Sequence, residues 1–457
     1  MVNIKVEMAL EKEYPLIEII ADERFGKDFL KGFNFKIVEE EKGKQIIYVN
    51  LLKNEMKLAS KIIEIINFLK IDKVCIDVSI LSTNIKKENF VESLYLSSYE
   101  FTTYKTKKDE RKVIIKVYGI DRVTLSKAKI LSKAVYIARD LGNEPSNKLY
   151  PQAFVERVYE IFEDSPDIYI ESLNEIDLER EKLEGILSVG NSSKNKPRLL
   201  ILKYFRAEDR NQKPILLVGK GICFDAGGIN VKPAEYMVDM YADKSGAAVV
   251  VGILYAVSKL GLPINIVAII PLAENVISES SIKQSDIIRI GDKNVEIVHT
   301  DAEGRLLIAD AIQYGIKKFN PILIIDIATL TGAQIVALGY KIAALFSNDT
   351  EMSKKMFEVS KRKREYVWKM PIPNFYRELI KSERADIVNI KSPSSRDAGS
   401  IVGALFIKEF VKDKKWIHLD VAGPAISPKK DGWINKGSTG FGVRLITEFL
   451  LEISKSI

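Results

Sequence analysis

The chain has 457 residues, with 69 Lys and Arg against 62 Asp and Glu, and only two Cys and two His. Cys75, Cys223, His299 and His418 are too few for a zinc site of the four-cysteine, two-cysteine two-histidine or three-histidine kind, or for a disulfide framework, so any metal chemistry must run on carboxylates. A composition of 46% apolar and 29% charged residues excludes disordered and fibrous classes, and a net charge of +7 is small for this size and reads as background.

From the N-terminus, Lys5, Glu7, Glu11, Lys12 and Glu13 leave no apolar core for a signal peptide. The longest uncharged apolar stretches, Gly246–Val257 and Leu262–Ala273, fall short of the ~20 residues a membrane span needs. A cytoplasmic protein with reduced thiols and no membrane partner is expected. The length also exceeds what one core usually supports, so two domains are expected.

Residues 1–123 form the first of these. Short β-rich runs at Gln45–Leu51, Lys73–Ile80 and Lys112–Tyr118 alternate with a helical stretch at Glu55–Phe68, an α/β pattern. The mixed charge runs Glu39–Lys42 and Lys107–Lys112 read as solvated loops. A helix over 124–142 follows. Thr124 is a good N-cap, Leu125, Ala128, Leu131, Val135, Ala138 and Leu141 recur at steps of three and four, and Gly142 then Pro145 stop it. This helix is read as the connector between domains.

Residues 143–457 make the second, larger domain. Strands Ile215–Phe224, Ile264–Pro271 and Ile322–Ala328 alternate with helices Ser245–Leu260 and Arg305–Lys318, and a hairpin pairs Ile287–Ile290 with Val295–His299. The fold class predicted is therefore α/β: a variable N-terminal α/β domain plus a larger α/β domain whose central, mostly parallel sheet is flanked by helices.

In open α/β sheets ligands sit beyond the carboxyl ends of the strands. Asp225, Ala226, Gly227 and Gly228 follow one such strand, with Lys220 before and Lys232 after; Thr300 to Arg305 follow the hairpin, and Asp243 opens the helix between. Asp225, Asp243, Asp301 and Glu303 total −4, which two divalent cations neutralise, and oxygen donors suit Mg2+, Mn2+ or Zn2+. In an extended segment Asp301 and Glu303 point the same way, and Gly304 lets the backbone come close. Taken singly these residues have plainer readings: a first-turn helix acid, a Gly-Gly turn, surface lysines. Their combination points to a site.

That combination resembles the leucyl aminopeptidase (cytosol aminopeptidase) family from about residue 135 to the C-terminus. The carrying segments are Thr-Asp-Ala-Glu-Gly-Arg-Leu-Leu-Ile-Ala-Asp-Ala from Thr300 and Val-Gly-Lys-Gly-Ile-Cys-Phe-Asp-Ala-Gly-Gly from Val218, then Lys232, Pro233 and Asp243 before Gly246. Supporting blocks begin at Ala138, Ala328, His418 and Lys436.

The resemblance implies a metalloexopeptidase in which Asp225 and Glu303 bridge two metal ions, Asp301 completes one site, and Lys220 and Asp243 complete the other. It implies Mn2+ or Zn2+, with Mg2+ or Co2+ as alternatives, and Lys232 and Arg305 as the catalytic pair. A hydroxide shared by the metals attacks the scissile carbonyl, and Arg305 holds bicarbonate as general base. A metal-bound α-amine restricts cleavage to the N-terminal residue of peptides with a free N-terminus. Met240, Thr329 and Gly332 match positions lining a leucine-type pocket, and a homohexamer is implied.

Several positions depart from the family pattern. His299 stands in place of Asn and reads as a supporting residue, Cys223 in place of a small hydroxyl residue and reads as a buried inert thiol. Gln284, Ser285 and Asp286 replace Pro-Gly-Asp, and Ala398 replaces Gly after Arg396 and Asp397. A rival reading, a nucleic-acid-binding or regulatory role beside or instead of peptidase activity, rests on the positive charge and on DNA binding by some family members.

Overall fold

A computed structural model describes residues 3–13, 15–20, 35–40, 44–50, 52–107, 111–209, 211–391 and 397–455. Leu51, Arg396 and parts of both charge runs (41–42 and 108–110) lie outside the described residues. The chain divides into two compact units, Met1–Tyr136 with Pro428–Lys436, and Ile137–Ser427 with Gly437–Ile457.

The first unit holds a six-stranded sheet in the order Asn3–Ala9, Lys112–Tyr118, Lys73–Asp77, Leu16–Ile20, Lys44–Asn50, Phe35–Glu40. All neighbours are parallel except the last pair. Lys112–Tyr118 alternates as its sequence dictates, burying Val113, Ile115 and Val117. Helix Glu55–Phe68, capped by Asn54, packs on Asn84–Ser98, a helix the periodicity does not reveal. Its buried face carries Glu88, Asn89, Glu92, Ser93 and Ser97, so no apolar stripe marks it. Ser60 Oγ meets Ser97 Oγ at 2.8 Å across that seam.

Helix Arg122–Asn143 is continuous through the division between the units. Its cap is Asp121, not Thr124: the Asp121 carboxylate accepts from Thr124 N at 2.8 Å and from Thr124 Oγ1 at 2.7 Å, placing Thr124 inside the first turn. Gly142 does not stop the helix either. It lies within the helix, where a Cβ would stand 2.1 Å from Ser438 Oγ, so close packing rather than termination calls for glycine.

The second unit is built on a nine-stranded sheet, with main-path order Tyr366–Lys369, Ile342–Ser347, Lys415–Asp420, Leu323–Ala328, Ile215–Gly219, Asn265–Asn275, Arg198–Phe205, Ile168–Leu173. The central four strands are parallel. Antiparallel pairs flank them, Arg198–Phe205 on Asn265–Asn275 and Ile342–Ser347 on Lys415–Asp420. Both faces are covered: Leu216 and Val218 share a core with Leu307 and Ile308 of helix Gly304–Phe319, while Gly219 abuts Gly246 of helix Ser245–Leu260. The unbroken apolar run of Ile215 to Val218 is the signature of a strand buried on both sides. The apolar helical stretch Ala234–Leu260 is long enough to cross a membrane, but 83% of its most apolar window is buried inside the protein.

The expected strand Ile215–Phe224 is two strands, Ile215–Gly219 and Gly221–Asp225, broken at Lys220. Lys220 N still donates to Ile327 O (3.1 Å), but its carbonyl turns to accept from Ala247 N (2.8 Å) at the start of helix Ser245–Leu260. Beyond this point the chain pairs with Asn265–Asn275 alone, and the register shifts at Cys223. The hairpin is shorter than predicted, with Lys293–Glu296 as its second strand, and Ile387–Val388 adds a third in parallel.

Candidate active site

Parallel strands end on one edge of the sheet, and that edge carries the chemistry. Lys220 follows Ile215–Gly219, Asp225 ends Gly221–Asp225, Asn275 ends Asn265–Asn275, Thr329 follows Leu323–Ala328 and Asp420 ends Lys415–Asp420. Asp243 directly precedes the segment that opens helix Ser245–Leu260, and Glu303 is the N-cap of Gly304–Phe319. The segment holding Asp301 and Glu303 is a turn with Glu303 in the αR region, not the extended chain expected, yet both carboxylates reach the site.

Ligand atoms of Asp225, Asp243 and Glu303 lie within 4.8 Å of one another, and all three residues are buried. Lys220 Nζ sits 2.8 Å from Asp243 Oδ2 and 2.9 Å from Glu303 Oε1, and donates to Thr329 O at 2.9 Å. Gly304 makes that reach possible: a Cβ there would stand 2.6 Å from Lys220 Cε. Lys232 Nζ lies 2.8 Å from Asp225 Oδ2 and also pairs with Asp301. The six sequence-predicted groups therefore form one cluster of four carboxylates and two ammonium groups.

Electrostatics mark the cluster as overloaded with negative charge. Burial, with Asp225 and Glu303 nearby, pushes the Asp243 carboxyl up to about 7 against the opposing pull of Lys220. Asp301 is likewise pushed up to about 7 by burial and by Asp225 and Glu303, with Lys232 opposing. Burial lowers the pKa of Lys220 and Lys232, but the surrounding carboxylates outweigh it and hold both well above the ordinary lysine range. Glu303 Oε2 is buried with no hydrogen-bond partner.

Neutral side chains fix this arrangement. Asn275 Nδ2 and Gly227 N donate to Asp225 Oδ1 at 2.8 and 2.9 Å, and Thr329 Oγ1 donates to Asp243 Oδ1 at 2.6 Å. Asn230 and Thr300 stitch the two ligand loops together, Asn230 N to Thr300 Oγ1 at 2.9 Å and Thr300 N to Asn230 Oδ1 at 2.8 Å. Arg305 is buried, donates Nη1 to Asn389 O at 2.7 Å, and is pushed down to about 10 by burial, with Glu303 and Asp420 opposing.

Of the pocket residues predicted, Met240 and Thr329 are half-buried and Gly332 is exposed, with no atom within 4 Å of where its Cβ would be. Half-buried His299 accepts from Asp301 N through Nδ1 at 3.2 Å, and burial beside Lys232 lowers its pKa. Cys223 is fully buried and its thiol is pushed up to about 12 by burial. His418 is buried in the sheet, with Nδ1 2.5 Å from Asp326 Oδ1.

Sequence reasoning missed Asn275, Asn389 and Asp420, whose partners are backbone groups, hydroxyls and, for Asn275, the Asp225 carboxylate, all from distant segments. Asp420 joins two of the supporting blocks, accepting from Thr331 Oγ1 at 2.6 Å and Leu330 N at 3.2 Å. Asn143 and Arg139 join the other two, through Ser438 N at 2.8 Å and Thr439 O at 2.9 Å.

Comparison with known proteins gives this geometry a family. Residues 136–447 match the catalytic domain of the cytosol aminopeptidase family. A probable cytosol aminopeptidase of Clostridium perfringens is 41% identical over 369 residues, covering 78% of this chain and 74% of that protein. The chain belongs to the cytosol aminopeptidase family. It is therefore a peptidase, a hydrolase acting on peptides. The cytosol aminopeptidase of Rickettsia prowazekii is 38% identical over 368 residues, covering 78% of this chain and 73% of its own. The structure of the Coxiella burnetii cytosol aminopeptidase matches with a TM-score of 0.88 at 26% identity, covering 98% of this chain and 99% of that one. The bottromycin maturation enzyme BotP in complex with Mn matches at 0.87 and 27% identity, covering 96% and 99%.

Proposed function

We propose that this cytosol aminopeptidase family member is a two-metal aminopeptidase that removes N-terminal residues, leucine-type and broadly, from peptides with a free N-terminus. The observation that carries the reading is the packing of Asp225, Asp243 and Glu303 ligand atoms within 4.8 Å, with Glu303 Oε2 buried and unpartnered. Oxygen donors plus one lysine amine suit Mn2+ or Zn2+, with Mg2+ and Co2+ as alternatives, and the residues fit such ions. The Mn complex of BotP supports the choice of metal class.

Asp225 and Glu303 would be shared by both cations, Asp301 would complete one site, and Lys220 and Asp243 the other. Lys220 must give up its proton to serve, which two adjacent dications favour over the carboxylate-held ammonium described above. Cations held there supply an activated water, a positive pole for the carbonyl oxygen and a docking point for a free α-amine. Lys232, held protonated by Asp225 and Asp301, presents its charge to the oxygen on which negative charge develops. Arg305, still cationic near neutrality, would hold a bicarbonate, which would supply a general base beside the leaving amine. Met240, Thr329 and Gly332 line the pocket for the first side chain. Residues 143–457 then constitute the catalytic domain, 124–142 the connector and 1–123 a variable domain, in a cytoplasmic homohexamer.

Asp225→Ala and Glu303→Ala test the assignment. Each is expected to abolish hydrolysis of a leucyl amide while circular dichroism shows the fold retained. Full activity in either purified variant removes the two-metal reading.

A further inference from the structure

The loop that carries Asp301 and Glu303 leaves the ladder before it reaches the site. Strand Lys293–Glu296 ends, and Asp301 sits in a turn closed by Ala302 N on His299 O at 3.2 Å. Backbone groups in such a segment must find partners elsewhere. Asn389, fully buried, supplies them. Its Oδ1 accepts from Val298 N at 2.8 Å and His299 N at 3.3 Å. Its Nδ2 donates to His299 O at 2.7 Å and Ala302 O at 3.4 Å. These four bonds use the full capacity of the amide and fix which end is oxygen.

The backbone of the same residue does two further things. Asn389 N donates to Glu296 O at 3.1 Å, extending the pairing of Ile387–Val388 with Lys293–Glu296. Asn389 O accepts from Arg305 Nη1 at 2.7 Å, and Arg305 Nε, also buried, has no hydrogen-bond partner. One residue therefore holds the chain on both sides of Asp301 and grips the guanidinium two residues beyond Glu303.

We propose that Asn389 is a positioning residue that registers Arg305 against the loop bearing Asp301 and Glu303, so that the anion held by Arg305 faces the metal-binding carboxylates. This rests on the two-metal reading above. It assigns Asn389 no contact with substrate. Its effect passes through the loop backbone and through Arg305.

Two substitutions separate positioning from mere stability. Asn389→Asp keeps size and both acceptor contacts but sets an oxygen against the His299 and Ala302 carbonyls, and Asn389→Ala removes all four bonds. Ile387→Ala, which truncates a buried side chain (5% exposed) on the same short strand, is the control for lost stability. Each full-length protein is stripped of metal and titrated with Mn2+ by electron paramagnetic resonance, and kcat and KM for a leucyl amide are measured across bicarbonate concentrations. Both Asn389 variants should bind Mn2+ about 10–100-fold more weakly, lose a similar factor in kcat with KM within about threefold, and need more bicarbonate for half-maximal rate. Ile387→Ala should lower the thermal midpoint and change none of these.

Wild-type Mn2+ affinity, kcat and bicarbonate dependence in folded Asn389→Asp would overturn the proposal. So would failure of every Asn389 variant to fold, which assigns the residue to the fold alone. Absence of Mn2+ binding by the wild-type protein would instead strike the two-metal reading.

Discussion

Lys220 is held between Asp243, Glu303 and the Thr329 carbonyl, with Gly304 against its stem. Gly304→Ala would place a Cβ 2.6 Å from Lys220 Cε and 2.8 Å from Nζ. Because the atoms met belong to a flexible side chain, the fold should survive while the amine is displaced. We expect kcat to fall about 10–100-fold, as for other supporting residues of metal sites, with little change in thermal midpoint. An unchanged kcat would contradict the close approach. The charge balance yields a second prediction. In the metal-free protein Asp243 and Asp301 lie near 7 against an ordinary 3.8, so protons are bound more tightly in the folded state. Their contribution to stability is complete below about pH 4 and is lost as pH rises through about 7. The metal-free protein should therefore lose stability between about pH 4 and about pH 7, and Mn2+ should restore it most at the upper end, where protons compete least. Thermal midpoints across that range, with and without Mn2+, check the sign. The charged groups of this site were legible in the sequence because carboxylates and lysines at strand ends carry a chemical signal. Asn275 and Asn389 were not, because an amide bonded to groups 25 to 91 residues away leaves no local pattern.

Elements followed the sequence where one period governed them and departed from it where the site intervened. Ser245–Leu260 and Lys112–Tyr118 have their predicted bounds. Ile215–Phe224 reads as one apolar run, yet it breaks at Lys220 so that the carbonyl can meet helix Ser245–Leu260 and the side chain the cluster. Gly142 looked like a helix stop and is a packing contact. Gly142→Ala gains about 1 kcal/mol of helix propensity, but a Cβ 2.1 Å from Ser438 Oγ and 2.6 Å from its Cβ cannot be accommodated without movement. We expect a net loss of about 1–3 kcal/mol, largely recovered in the double variant with Ser438→Gly, measured by chemical denaturation. Two departures from the family pattern also acquire a physical meaning. Ser285 and Ala398 stand where the family has glycine, and both adopt left-handed backbone, with φ of 72° and 52°. Ser285→Gly and Ala398→Gly should each stabilise the protein by about 0.5–1 kcal/mol and leave kcat unchanged. Destabilisation by either would show that the side chain contributes more than the strain costs.

For the molecule as a whole, the first 123 residues carried a fold signal but no chemical one, and the family match begins at residue 136. Two His and two Cys, read first as an exclusion of common zinc sites, fit a site made of carboxylates and lysine, with His418 paired to Asp326 inside the sheet and both thiols buried. We propose that this carboxylate cluster holds two divalent ions that hydrolysis requires. The most direct measurement is a titration of the metal-stripped full chain with Mn2+, recording leucyl amide hydrolysis and bound metal together. The rate should be negligible at the outset and reach its plateau as the second ion per chain binds, with Glu303→Ala showing neither tight binding nor rate. Full activity before any metal is added, or a plateau reached with no ion bound, would contradict the account.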